Sequence, residues 1–119
     1  MRFVYSLDME VPYGQWMLKI LLEKGLIPEI VIEEDSPRAA QHRNIFLERL
    51  SGRALPPTIA FLVEKHRLRY ARVPSLSGPK CEEILKEEAP DLNVSGGTFS
   101  IMKKRVFSRF LSVSASVKE

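Results

Sequence analysis

The sequence predicts an α/β fold: an open, mainly parallel sheet of four to five strands with helices on both faces. Short apolar segments of strand length alternate with longer segments whose apolar residues recur at helical spacing. Proline and glycine residues mark most of the junctions between these segments. Because neighbouring parallel strands need right-handed crossovers, this alternation with short connections is typical of a doubly wound sheet.

The first strand and helix occupy the start of the chain. Arg2–Leu7 is a short apolar run, and a segment containing proline and glycine follows it. From Gly14 to Lys24 apolar residues recur at helical spacing, and Gly25 is placed to cap this helix in the left-handed conformation. The apolar residues expected to pack this helix on the sheet are Trp16, Met17, Ile20, Leu21 and Leu22.

The second strand is followed by two helices in one crossover. Pro28–Glu33 carries three consecutive β-branched residues, which favour a strand buried on both faces. Ser36 as N-cap and Pro37 at the first helical position then predict a helix as far as Leu50. Thr58–Lys65 is a second, shorter helix.

The remaining elements continue the alternation. Leu68–Val73 is the third strand, Pro79–Glu88 a helix whose Ile84 and Leu85 face inward, and Leu92–Ser95 the fourth strand. A short basic helix, Phe99–Phe107, and a segment of strict period two, Leu111–Val117, complete the chain.

The composition predicts one soluble domain over residues 1–119. Hydrophobic residues make up 45% and charged residues 28% of the chain. With a net charge of +3 and basic residues spread among acids, binding of tRNA is permitted but not indicated. Since Cys81 is the only cysteine and no leader or long apolar run is evident, we expect a cytoplasmic protein without membrane association.

Other candidate sites have simpler interpretations. The segment 8–14 has one glycine where a dinucleotide turn needs three, so NAD binding is not expected. The acidic run Glu33–Asp35 lies where such folds hold a ribose hydroxyl, but a solvated acidic loop is the favoured interpretation and no role is assigned. His42 and His66 are expected on the surface, and no metal site is predicted.

The most informative stretch is Ala89–Met102. Pro90 ends a helix, Leu92–Ser95 extends as a strand, and Gly96-Gly97 follows immediately. In a parallel sheet, ligands bind outside the carboxyl ends of the strands, so a glycine pair at this point favours a ligand loop. The alternative is that the glycines only turn the chain.

Four segments together resemble the N-terminal domain of the folate-dependent formyltransferases, the family of methionyl-tRNA formyltransferase and glycinamide ribonucleotide formyltransferase. They are RFVYSLDMEVPYGQWMLKILLEKGL, LPPTIAFLVEKHRLRYARVP, EILKEEAPDL and SGGTFSIMKKRVF. The resemblance covers residues 1–107, and the tail 108–119 diverges.

The resemblance implies a Rossmann-like fold and a folate ligand. Members transfer a formyl group from 10-formyltetrahydrofolate to an amine such as methionyl-tRNA, with the pterin held against the backbone of the loop after the fourth strand. The matching residues here are Gly97, Thr98, Phe99, Ser100, Ile101 and Met102.

The match fails at the catalytic motif of the family. Its Asn-x-His pair falls on LSVSAS here, with Ser112 at the Asn position and Ser114 at the His position, and the sequence ends before the family's Asp. No catalytic residue is therefore assigned, and this short chain is expected to be inactive. The alternative is a non-catalytic module that binds folate, or that pairs with a second copy or a partner chain through an exposed sheet edge.

Overall fold

The computed structural model describes residues 2–96. The elements are β1 (Phe3–Asp8), α1 (Pro12–Glu23), β2 (Val31–Glu34), α2 (Pro37–Leu50), α3 (Ile59–His66), β3 (Tyr70–Val73), α4 (Pro79–Glu88) and β4 (Leu92–Ser95). Four predictions lie outside the described residues: the helix Phe99–Phe107, the strand Leu111–Val117, the pterin loop Gly97–Met102, and the positions Ser112 and Ser114.

The four strands form one parallel sheet in the order β3-β2-β1-β4. Tyr5 in the middle of β1 is in register with Val31 of β2 on one side and Val94 of β4 on the other. The chain therefore adds β2 and β3 on one side of β1 and then returns to add β4 on the opposite side. This reversal makes the junction between β1 and β4 a topological switch point.

Side chains alternate between two apolar layers, one on each face of the sheet. Val4 and Ile32 face α4, where Cys81 and Leu85 meet them. Successive residues of a strand point to opposite faces, so Tyr5, Leu7 and Val31 pack on the other side, against α1 and α3. The predicted α/β architecture with helices on both faces is confirmed, and it is consistent with a Rossmann-like fold.

Local signals placed several boundaries correctly. The Ser36 hydroxyl accepts a 3.1 Å hydrogen bond from the Ala39 amide at the start of α2, and α2 ends at Leu50 as predicted. Gly25 has a φ of 78° after α1, as its capping position requires. The strands β2 and β3 begin later than predicted, at Val31 and Tyr70.

The face of α1 that packs on the sheet differs in part from the prediction: Met17, Leu21 and Leu22 pack there as expected, whereas Trp16 and Ile20 do not. Trp16 and Ile20 are 37% and 49% exposed, whereas Leu18 and Leu22 are buried. Apolar residues occupy most of the circumference of this helix, so spacing alone did not identify the buried stripe. Contact with the sheet selects Leu18 and Leu22, which lie four residues apart and so share one face.

Candidate functional site

Three acidic side chains are buried where β1 and β2 end. Asp8, Glu33 and Glu34 are 0%, 3% and 1% exposed. The prediction of a solvated acidic loop is therefore wrong for Glu33 and Glu34, while Asp35 is exposed. The reason is that β2 continues through Glu34, which is in register with Asp8, so both carboxylates belong to the sheet and are covered by its neighbours.

The Asp8 carboxylate contacts an imidazole from α2. The Nδ1 atom of His42 lies 2.6 Å from the Oδ2 atom of Asp8. An ionised carboxylate only accepts hydrogen bonds, so this contact suits the His42 tautomer that carries a proton on Nδ1. The rings of His42 and Phe46 pack in a T-shaped arrangement, with 5.0 Å between their centroids.

His42 is buried, so its predicted surface position is wrong. It follows Ala39 by three residues on the helix, and both face the sheet. His66 is half-buried in the last turn of α3. The signal that could have identified His42 is its spacing from the small residue Ala39, together with an aspartate at the carboxyl end of β1.

Glu34 links two loops at this edge of the sheet. Its Oε1 atom accepts a 2.8 Å hydrogen bond from the Leu76 amide after β3. Its Oε2 atom accepts a 2.7 Å hydrogen bond from the Ser36 hydroxyl at the start of α2. These bonds give Glu34 a structural role in tying α2 to the connection between β3 and α4.

Glu33 interacts with a different set of groups. The Tyr70 hydroxyl donates to Oε1 at 2.5 Å, and the Glu10 amide donates to Oε2 at 3.2 Å. The Arg72 Nε atom donates in turn to the Tyr70 oxygen at 3.3 Å. Burial raises the pKa of Glu33 above its usual value, although the hydrogen bonds from Tyr70 and from the Glu10 amide lower it. Burial, together with the hydrogen bond to Glu33, raises the pKa of Tyr70 to about 12.

A cavity of about 270 Å³ opens beside Glu33, and we call it the Glu33 cavity. It lies between the connection from β1 to α1, the first turns of α3, and β3. Glu33, Tyr70 and Arg72 contribute polar groups to it, while Ile59 and Val63 contribute apolar wall. A mainly apolar pocket with a few convergent polar groups is typical of small-molecule sites.

The switch point is closely packed around two glycines. The Gly96 amide donates to the Ser6 carbonyl at 2.8 Å, and the Tyr5 hydroxyl donates to the Gly14 carbonyl at 2.7 Å. A Cβ atom added to Gly96 would lie 1.9 Å from the Tyr5 hydroxyl, and one added to Gly14 would lie 2.4 Å from the Gly96 oxygen. Gly14 thus needs to be glycine because the backbone after β4 approaches the start of α1 closely, and Gly96 because the buried Tyr5 ring lies against it.

The described residues show no grouping for a metal ion. Within residues 2–96, no three His, Cys, Asp or Glu side chains come together in a way that could hold one. In the same range, none of the helices combines the length and apolar character needed to cross a membrane.

The chain was compared with protein-family models, curated proteins and solved structures, and nothing matched in any of the three comparisons. The likeness to the folate-dependent formyltransferases rests on the four sequence segments quoted above.

Proposed function

We propose that the chain is a formyltransferase-like domain that binds 10-formyltetrahydrofolate without transferring its formyl group. The observation that supports this best is the position of Gly96. This residue directly follows β4 at the switch point, where its amide donates to the Ser6 carbonyl of β1. Ligands of open α/β sheets bind outside the carboxyl ends of the strands at such a point, and the pterin loop Gly97–Met102 follows directly.

The chemistry of the loop suits a pterin. The edge of a pterin alternates hydrogen-bond donors and acceptors, and peptide N–H and C=O groups can pair with both kinds. Glycine at position 97 allows close approach of the ring to the backbone. Phe99, Ile101 and Met102 offer apolar cover for the ring faces.

We expect binding without catalysis because the sequence lacks the Asn-x-His pair of the family. Ser112 and Ser114 replace an amide and an imidazole. A serine hydroxyl does not titrate near neutral pH, so Ser114 cannot replace the histidine that accepts a proton from the attacking amine in the family. Loss of positioned acid-base help costs about 100-fold to 10,000-fold in rate.

A second candidate is a protein-interaction module that uses an edge strand of the sheet, β4 or β3. In its favour, each of these strands has a strand neighbour on one side only among the described residues, and Tyr70 of β3 is partly exposed. Against it, both strands have only four residues and β3 includes Arg72, and short or charged edge strands disfavour pairing. Folate binding is therefore the better-supported function.

Titration of the 119-residue protein, followed by amide chemical shifts, tests the binding proposal. We expect 10-formyltetrahydrofolate and tetrahydrofolate to bind with a Kd of about 1 mM, equivalent to about 4 kcal/mol. p-Aminobenzoylglutamate, which lacks the pterin, should not bind. Shifts should centre on residues 97–102.

Gly97→Val should abolish folate binding because its side chain would occupy the space of the ring. Ala54→Val is the control: Ala54 is exposed in the connection between α2 and α3, so the larger side chain should leave the fold and the folate shifts unchanged. Folate shifts that are absent, or that centre elsewhere, would contradict the pterin assignment.

Assays of formyl loss from 10-formyltetrahydrofolate with added amines test the second half of the proposal. No turnover is expected at any protein concentration. Turnover that is proportional to the amount of pure protein, with unchanged specific activity on dilution, would show that the chain is an enzyme.

A further inference from the structure

We infer that the Glu33 cavity binds a small aliphatic amine in its ammonium form, with the Glu33 carboxylate as its counter-ion. This site lies at the carboxyl ends of β2 and β3, on the other side of β1 from β4. It does not depend on folate binding at the switch point.

The buried Glu33 carboxylate carries the inference. Its oxygens contact two neutral donors, the Tyr70 hydroxyl and the Glu10 amide. Within residues 2–96, no lysine or arginine lies within ion-pair distance of it; Arg72 donates to the Tyr70 oxygen instead, and its charge lowers the pKa of Glu33 by less than burial raises it. A buried charge is costly unless an opposite charge accompanies it, so a cationic ligand would stabilise this carboxylate.

The charges around the cavity also favour a cation. Three carboxylates line it, from Glu10, Glu33 and Glu64, against the single guanidinium of Arg72. The Arg72 side chain faces Asp35 at 3.9 Å, and Glu10 is paired with Arg43 at 3.1 Å. The remaining negative charge centres on Glu33 and Glu64, so the cavity disfavours an anion.

The geometry leaves acceptor sites for an ammonium group. A carboxylate offers about four lone-pair positions, and each Glu33 oxygen accepts one hydrogen bond from the described residues. An ammonium group brings three donors, and the two remaining positions can accept two of them.

The rest of the cavity favours a short alkyl chain. Met9, Ile59, Ala60 and Val63 supply apolar contacts next to the carboxylate. The volume of about 270 Å³ is near the lower limit for small-molecule pockets. The expected ligand is therefore an amine with a short aliphatic chain.

The probes are n-butylammonium, n-butanol and butyrate, which share one alkyl chain and differ in charge. Amide chemical shifts of the 119-residue protein report both affinity and location. We expect n-butylammonium to bind at least about tenfold more tightly than n-butanol, because only the amine makes a charge-assisted bond to Glu33. Butyrate should not bind, and the shifted amides should lie at the end of β2, in α3 and in β3.

Glu33→Gln keeps the side-chain shape and should lower the affinity for the amine to that for n-butanol. Glu23→Gln, on the exposed face of α1, is the matched control and should change nothing. Tyr70→Phe keeps the carboxylate and should retain amine binding. Equal affinity of the unmodified protein for the amine and the alcohol would overturn the inference without any variant. Amine affinity that survives Glu33→Gln, or shifts outside the cavity, would also overturn it.

Discussion

His42 on α2 and Asp8 at the end of β1 are in contact at 2.6 Å although 34 positions separate them in the sequence. The Asp8 side chain is fully buried and that of His42 is 10% exposed. The contact therefore links α2 to β1. Apart from His42, Ala39 is the buried residue of this helix.

Replacing His42 should strongly destabilise the protein. His42→Ala removes a hydrogen-bond partner of a buried carboxylate, a change that typically costs about 1–3 kcal/mol and more when the group is charged. Denaturant unfolding followed by circular dichroism measures the free energy of unfolding. His66→Ala, at a half-buried histidine, is the control and should cost much less. Equal losses in the two variants would show that the contact with Asp8 contributes little.

Adding a methyl group at the end of β4 should also destabilise the fold. In Gly96→Ala the new Cβ atom would meet the Tyr5 hydroxyl, which is buried and bonded to the Gly14 carbonyl. Overpacking of this kind typically costs about 1–3 kcal/mol. Ser95→Ala, at the exposed neighbouring position, should leave the melting temperature nearly unchanged. Equal melting temperatures for the two variants would show that the Tyr5 ring does not exclude a side chain at position 96.

The contribution of Glu33 to stability should fall as pH rises. Burial raises its pKa in the folded state above the usual value of 4.5, so the folded state binds the proton more tightly than the unfolded state does. From about pH 4.5 upward, the free energy of unfolding of the unmodified protein should therefore decrease relative to that of Glu33→Gln until Glu33 is ionised in the folded state.

Urea unfolding of both proteins from about pH 4 to pH 8 measures this difference. Glu87→Gln, at an exposed position in α4, controls for the removal of one negative charge. A difference between the unmodified protein and Glu33→Gln that is constant, or that favours the unmodified protein as pH rises, would contradict the prediction.

The thiol of Cys81 should be unreactive in the folded protein. The residue is fully buried in the layer beneath α4, and burial raises its pKa to about 11. Since the thiolate is the reacting form, labelling with iodoacetamide near pH 8 should be slow in buffer and fast in denaturant. Glu83→Cys adds an exposed thiol two positions away as an internal control. If Cys81 and the added Cys at position 83 react equally fast in the folded variant, Cys81 is not buried.

Much of the fold was predictable from the sequence because its signals are local. The Ser36 N-cap acts on an amide three residues away, and Gly25 adopts its left-handed conformation next to the helix that it ends. Pro79 likewise begins α4 where its position predicts. The order of strands and helices follows from such short-range rules and from apolar periodicity.

One of the two candidate sites was predictable from the sequence and the other was not. The pterin loop Gly97–Met102 follows from the sequence alone and stays a prediction. The Glu33 cavity was not predicted, because three consecutive acidic residues after an apolar run are more typical of an exposed loop. Its polar groups come from β2, β3, α3 and the connection after β1, which the sequence does not show to be neighbours.

Thus the sequence by itself determined the order of the described helices and strands and several of their boundaries, since caps and periodicity act over a few residues. Only the tertiary structure decided which face of α1 is buried, that His42 reaches Asp8, and that Glu33 lines a cavity. These features depend on contacts between segments that lie far apart in the chain, and burial at such contacts overrides the polarity of a single residue.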